Sequence, residues 1–165
     1  MSITMLETEE NAMEAKVYNY AVMLLSRREH SVRELSSKIR RKWQLEAGYS
    51  DAVLLVVVTR LEASGYLSDE RFARAYGQAR KRKGFGVERI RYELSEKGVA
   101  SETLELVLAE LAPEWQDAIY GVWEKKFNKI PLDYRELAKQ QKFLRYRGFC
   151  FQEIEELYKK LGTCL

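Results

Sequence analysis

One short pattern recurs along this chain and is clearest in the segment KGVASETLELVLAEL, residues 97–111. In that segment Gly98 is followed by large apolar residues at positions 104, 107 and 111. The spacing i, i+3, i+7 places them on one face of an amphipathic helix. Equivalent segments begin at Gly48 and Gly148, each 50 residues away. Three copies at this period predict a tandem array of helical repeats.

The repeat also extends upstream of each glycine. Copies two and three match at an offset of 50 residues, whereas copy one matches copy two at an offset of 55, because copy one carries an insertion at Trp43–Ala47. We expect three helices in each copy, and therefore an all-α, elongated array of helix-turn-helix-like repeats. The predicted boundaries are a flexible tail at 1–12, three repeats at 13–64, 65–112 and 113–165, and a short tail within the last of these.

The helices follow from the apolar periodicity and the capping residues. A valine-rich stretch, Ala52–Val58, has high strand propensity, but its counterparts in the other copies are helical, so we predict a buried helix there. Gly48, Gly98 and Gly148 are expected in tight turns between helices, where the left-handed conformation favours glycine. The predicted helices are 13–28, 32–42, 51–63, 69–83, 87–97, 101–111, 114–128, 134–147 and 151–161.

Composition excludes several classes of protein. An apolar content of 46%, with 12% aromatic residues, argues against disorder. The longest uncharged apolar run, Ala52–Val58, is too short to span a bilayer. The two cysteines, Cys150 and Cys164, fit a reducing cytosol, and Cys150 is interpreted as a small residue at a helix cap. We therefore expect a cytoplasmic protein with no membrane segment.

Basic residues cluster at corresponding positions of the three copies, although the net charge is only +3. Such runs are often simply solvated helix faces, but their recurrence favours a continuous basic track. A track of this kind suits DNA, or an acidic protein groove that holds DNA. Interleaved aromatic residues could stack on bases, or could belong to the core. The predicted contact residues are Arg80, Lys81, Arg82, Lys83, Arg89, Arg91, Arg40, Arg41, Lys142 and Arg145.

The chain has little of the chemistry that catalysis requires. His30 is the only histidine, which excludes histidine-based metal clusters and catalytic triads. The segment Lys83–Gly86 lacks the spacing of a phosphate-binding loop and is interpreted as a flexible turn between helices. We therefore predict a protein that is not an enzyme, with no catalytic residue, cofactor or metal.

The central copy resembles a known family. The segments GYLSDERFA (65–73), GFG (84–86) and KGV (97–99), with Arg80, Arg89-Ile90 and Glu93-Leu94 between them, are similar to the central signature of the RecX proteins, bacterial regulators of the RecA recombinase. The resemblance implies three three-helix units in a curved array. It further implies binding in the groove of the RecA–DNA filament, with inhibition of filament extension, ATP turnover, strand exchange and coprotease activity.

Two hypotheses follow. The first is a non-enzymatic modulator of the RecA filament, with single- and double-stranded DNA contacted weakly or through the filament. The second is a tandem helical protein that acts by binding DNA directly, which predicts tight binding to bare DNA with a steep salt dependence. We expect a monomer in either case.

Overall fold

The computed structural model describes residues 3–112 and 115–162, with side chains from residue 9 onward. Within these residues there is no strand, so the all-α prediction is confirmed. The helices are α1 (Ile3–Leu25), α2 (Val32–Trp43), α3 (Asp51–Ala63), α4 (Asp69–Arg82), α5 (Val87–Glu96), α6 (Ser101–Leu111), α7 (Trp115–Lys126), α8 (Tyr134–Tyr146) and α9 (Phe151–Lys160).

The helix bounds agree with the predicted ones to within two residues except in α1, which ends at Leu25 where an end at Arg28 was predicted. Helix α1 begins at Ile3, whereas the periodicity predicted a start at Met13 after a tail. The valine-rich stretch 52–58 lies within α3, which confirms the predicted helix. Cys150 is the residue before α9, as the cap interpretation requires. Cys164 and Pro113, the predicted helix start, lie outside the described residues.

The chain forms two compact units. Unit 1 contains the residues up to Phe72 together with Lys97–Val99, and unit 2 contains Ala73–Glu96 together with the residues from Ala100 onward. Unit 1 has a core built from α1, α2 and α3. The predicted apolar stripe of α3, at Leu54, Val57 and Leu61, is buried in that core.

Unit 2 contains the corresponding stripes of α6 and α9, which are buried except for Leu161, which is partly buried. Its core also contains a polar group, Gln140, whose side-chain oxygen accepts hydrogen bonds from Trp123 Nε1 at 2.8 Å and from the Tyr158 hydroxyl at 2.9 Å. The amide nitrogen of Gln140 donates to the Lys129 carbonyl at 3.0 Å. Because both ends of the amide are bonded, its burial carries little desolvation cost.

The three repeat glycines adopt the conformation that the pattern predicts. Gly48, Gly98 and Gly148 have φ angles of 81°, 82° and 92°, all in the left-handed region. The turn predicted around Gly86 is also present, but it is closely packed: a Cβ on Gly86 would lie 2.4 Å from the backbone of Gly148. This turn is therefore part of a junction with the segment that follows α8.

Candidate basic groove

The predicted contact residues at the end of α4 differ in their surroundings. Arg82 and Lys83 are exposed. Lys81 is only 9% exposed, its Nζ donates to the Leu111 carbonyl at 2.9 Å, and it lies 4.8 Å from the centre of the Trp115 ring. The ammonium group thus caps the carboxyl end of α6. This corrects the expectation of an accessible contact residue at Lys81.

Two other predicted contact residues, Arg80 and Arg89, share one carboxylate. Arg80 Nε donates to Glu93 Oε2 at 2.6 Å, and Arg89 Nε donates to Glu93 Oε1 at 3.0 Å. The Tyr76 hydroxyl donates to the same carboxylate at 2.9 Å. Both guanidinium groups also lie over the Phe85 ring, 3.8 and 4.5 Å from its centre. Arg80 and Arg89 are therefore engaged within the unit.

The titration behaviour of this cluster follows from the same contacts. Burial alone would raise the pKa of Glu93, but the hydrogen bonds from Arg80, Arg89 and Tyr76 outweigh burial and hold its pKa below the ordinary value. Burial, assisted by the hydrogen bond to Glu93, raises the pKa of Tyr76 to about 12. The cluster is therefore ionised at neutral pH, and Glu93 balances one of its two positive charges.

Arg91 is also paired. Its guanidinium group donates to both carboxylate oxygens of Glu105 at 2.9 Å and to Glu88 Oε1 at 3.0 Å. The hydrogen bond to Glu105, the largest cause, raises the pKa of Arg91. Carboxylates of α5 and α6 thus neutralise part of the predicted track.

Several cations of unit 2 line a groove between the end of α4, α7 and α8. This basic groove has a volume of about 750 Å³. Six of its lining residues are basic and one, Asp117, is acidic. Gly121 leaves open space in its wall, whereas Gly84 packs closely against Val122. The lining is Lys81, Arg82, Lys83, Gly84, Asp117, Ala118, Gly121, Val122, Lys125, Lys126, Phe143 and Arg147.

The cations of the basic groove are available to a partner. In the part of the chain that the structure describes, Arg82, Lys83 and Lys125 have no carboxylate within ion-pair distance. Lys126 lies 5.8 Å from the centre of the Phe143 ring. Arg147 Nη1 donates to the Lys83 carbonyl at 3.3 Å, and its guanidinium carbon lies 5.3 Å from the centre of the Phe143 ring. The groove thus has several unneutralised charges on a fixed frame.

Sequence reasoning did not select Lys125, Lys126 or Arg147 as contact residues. The signal was present, because all three belong to the basic run 125–147. Lys142 and Arg145 were selected from that run and are exposed on α8, but they do not line the groove. Periodicity identifies which residues are basic, whereas only the packing of α4 against α7 and α8 identifies those that face one another.

The last two predicted contact residues, Arg40 and Arg41, are exposed in unit 1. Arg40 donates to Asp51 Oδ1 at 3.0 and 3.2 Å, so its charge is partly neutralised. Among the residues that the structure describes, no carboxylate lies within ion-pair distance of Arg41.

The described residues hold neither a metal-binding cluster nor a membrane-spanning helix. No group of three or more His, Cys, Asp and Glu side chains there is arranged to hold a metal ion. In the same residues, no helix has the length and apolar character needed to cross a membrane. Burial raises the pKa of the Cys150 thiol, which disfavours the reactive thiolate.

Comparison with known proteins places the chain in a family. A family model described as RecX, second three-helix domain, matches residues 68–108, and RecX, third three-helix domain, matches residues 113–157. The regulatory protein RecX of Pseudomonas fluorescens (strain Pf-5) is 36% identical over 143 residues, which cover 86% of this chain and 89% of that protein. The regulatory protein RecX of Legionella pneumophila (strain Corby) is 35% identical over 149 residues, which cover 90% and 96% of the two chains.

Solved structures agree on the fold. A crystal structure of RecX from Lactobacillus salivarius aligns with a TM-score of 0.77 and 22% identity over 90% of this chain and 96% of that chain. A second crystal structure of a regulatory protein RecX aligns with a TM-score of 0.73 and 18% identity, covering 91% of this chain and 73% of that one. The fold is thus that of a tandem array of three-helix repeats. The chain belongs to the RecX family.

Proposed function

We propose that this chain is a non-enzymatic regulator of the RecA recombinase that binds in the groove of the RecA–DNA filament. In this role it inhibits filament extension, ATP turnover, strand exchange and coprotease activity. Membership of the RecX family supports the regulatory role. The observation that carries the proposal is the basic groove of unit 2, with six basic residues and a single acidic one in its lining.

The mechanism rests on charge complementarity. A recombinase filament contains a polyanion, its bound DNA, and the cations of the basic groove can neutralise phosphates or acidic side chains of the filament. A ligand can shift a filament between states only if it binds one state more tightly. We infer that the groove engages a filament state that cannot extend. Arg82, Lys83, Lys125 and Arg147 are assigned to this contact, because none of them has a carboxylate within ion-pair distance among the residues that the structure describes.

The other cations have different roles in this proposal. Arg80 and Arg89 support the shape of the surface through Glu93. Lys142, Arg145 and Arg41 remain accessible for additional contacts. The protein acts in the cytoplasm as a monomer.

The test is the single-strand-dependent ATP hydrolysis of the cognate RecA, with this protein added well below one copy per recombinase subunit. Wild type is expected to suppress turnover. The variant Arg82→Glu/Lys83→Glu should lose this effect, since repulsion replaces attraction at two exposed positions. The matched control is Lys159→Glu/Lys160→Glu, an adjacent pair in the last turn of α9, which does not line the groove. Unchanged turnover with wild type, or equal loss in both variants, would overturn the proposal.

The basic groove also favours the second hypothesis, direct DNA binding without RecA. The two are separated by measuring binding to bare DNA in the same samples at physiological salt. Suppressed turnover with weak binding to bare DNA indicates the filament as target. Unchanged turnover with tight binding indicates a protein that acts on DNA alone.

A further inference from the structure

We propose that the basic groove of unit 2 is a binding site for a single, unpaired chain of phosphates, and that it excludes duplex nucleic acid. The ligand is either one nucleic-acid strand or a free oligophosphate, since both present consecutive phosphate groups. The inference deepens the proposed function by naming what the groove holds, but it needs no recombinase. It can therefore stand or fail separately.

The cations of the basic groove lie on more than one of its walls. The cations come from three different elements: Arg82 and Lys83 from the end of α4 and the turn after it, Lys125 and Lys126 from α7, and Arg147 from the end of α8. These cations line different walls of one groove. On a flat or convex basic face they would all lie on the same side of a ligand. A chain that enters the groove is thus met by cations from more than one wall, with Asp117 as the one opposing charge in the lining.

The size of the basic groove also suits a single strand and not a duplex. A cavity of about 750 Å³ accommodates a ligand of a few nucleotides or a short oligophosphate. A duplex carries its phosphates on the outside of a stiff cylinder, which cannot enter a cavity of this volume. An unpaired strand is flexible and can place successive phosphates between the walls. The geometry therefore selects against paired strands.

The basic groove is also rigid, and a fixed site loses less entropy on binding than a mobile one. Arg147 is held between two aromatic rings, with its guanidinium carbon 5.2 Å from the centre of Phe85 and 5.3 Å from that of Phe143. Arg147 also bonds to the Lys83 carbonyl at 3.3 Å, so the turn after α4 is tied to the end of α8. Lys81 also fixes the end of α4, because its Nζ donates a hydrogen bond to the Leu111 carbonyl.

The backbone strengthens this frame. The Gly86 N–H donates to the Arg147 carbonyl at 2.9 Å, and the Glu88 N–H donates to the Gly148 carbonyl at 2.9 Å. Gly84 lies directly against Val122, since a Cβ there would be 2.6 Å from Val122 Cγ2. The two sides of the groove are thus held at a fixed separation before any ligand arrives.

The experiment measures binding of a fluorescent twelve-residue oligothymidylate to the full chain by anisotropy, over a range of salt concentrations. The test variant is Lys125→Gln/Lys126→Gln, in the last turn of α7, and the control is Lys159→Gln/Lys160→Gln, in the last turn of α9. Both pairs remove two charges from the end of a helix of unit 2, so effects of net charge and helix dipole are matched. Arg82→Gln/Lys83→Gln is a second test variant on another wall.

We expect each test variant to bind the strand about tenfold more weakly, with the slope of log K against log salt reduced by about 1.4, because two phosphate contacts are lost. The control should stay within about twofold of wild type. Equal weakening of test and control variants would overturn the groove as the site, as would the absence of strand binding by wild type.

Two competitors identify the ligand class. The first competitor is unlabelled inorganic tripolyphosphate. If it displaces the strand from wild type but not from the test variants, the groove recognises the phosphate chain alone. Its failure to compete, with strand binding still dependent on Lys125 and Lys126, assigns the nucleic-acid strand. A twelve-base-pair duplex that competes as well as the single strand would overturn the exclusion of duplex. Absence of strand binding by wild type, with suppression of ATP turnover present, would overturn this inference and leave the proposed function standing.

Discussion

The start of α2 and the start of α5 occupy equivalent positions in the repeat pattern, yet they are held by different chemistry. At the first, Ser31 is fully buried, and its hydroxyl accepts the Glu34 N–H at 3.0 Å while donating to the Lys97 carbonyl at 2.8 Å. At the second, Gly86 has no side chain, and its N–H donates to the Arg147 carbonyl at 2.9 Å. The first junction therefore depends on a side-chain hydrogen bond, whereas the second depends on a hydrogen bond between main-chain groups.

The difference follows from the space available. At α5 the backbones approach so closely that a Cβ on Gly86 would lie 2.4 Å from Gly148. At α2 the serine side chain bridges a wider gap, and Asp69 Oδ1 accepts the Val32 N–H at 2.8 Å beside it. The α5 junction should therefore be intolerant of any added atom, and the α2 junction should depend on a particular hydroxyl.

Substitution of Gly86 by Ala is expected to have the largest effect. The added methyl group meets main-chain atoms of Gly148 and Phe149, which cannot move as a flexible side chain can. We expect a loss of about 3 kcal/mol or more in the free energy of unfolding, from overpacking. Denaturant unfolding followed by circular dichroism measures it.

The control for this change is Gly121→Ala, in α7. No atom lies within 4 Å of the Cβ that this substitution adds. Because alanine is the better helix former, we expect a gain of about 0.5–1 kcal/mol. Equal effects of the two substitutions would show that the close approach at Gly86 is unimportant.

Substitution of Ser31 by Ala tests the other junction and should have a smaller effect. It removes an N-cap and also the donor to the Lys97 carbonyl, for an expected loss of about 2 kcal/mol. Asp133→Ala is the matched variant, because Asp133 caps α8 by accepting the Glu136 N–H at 2.7 Å and is itself exposed. We expect about 1 kcal/mol there. If the two losses were the same, the bond to Lys97 would contribute nothing.

These two junctions show how far the sequence could be interpreted. The period of 50 residues was enough to predict the turns at Gly48, Gly98 and Gly148 and the apolar stripes of the helices that follow them. It was not enough to predict that Gly86 and Gly148 touch, since the pattern is local and this contact joins residues far apart in the chain. The basic groove was missed for the same reason, because folding brings Lys83 beside Arg147.

The charge pattern of the sequence identified which residues are basic, but it did not show which of them are paired with a carboxylate in the folded chain. Arg80 and Arg89 belong to the basic residues that the sequence groups together, but both donate to Glu93, which lies on the same face of α5 as Arg89. A single carboxylate among many cations is easily overlooked in a count of charges. Its position one helical turn after Arg89 was the signal that could have indicated the pairing.

The smallest effect that we expect is a dependence of stability on pH at the α2 junction, which the α5 junction should lack. His30, next to Ser31, is buried, with Nδ1 3.0 Å from the Arg28 carbonyl and Nε2 3.0 Å from Lys38 Nζ. Burial, the largest cause, lowers the pKa of His30, and the charges of Arg28 and Lys38 act in the same direction against the opposing charge of Glu34. The folded state therefore prefers the neutral ring.

The sign of the pH effect follows from this preference. Because the pKa of His30 is lower in the folded chain than in the unfolded one, the unfolded chain binds the proton more readily, and stability falls as pH drops below about 6.5. Amide exchange at the start of α2 should accelerate between pH 7.5 and 5.5, after correction for intrinsic rates, more than exchange at the start of α5. In His30→Gln the difference should disappear. Equal acceleration at both junctions in wild type would show that His30 does not couple the α2 junction to pH.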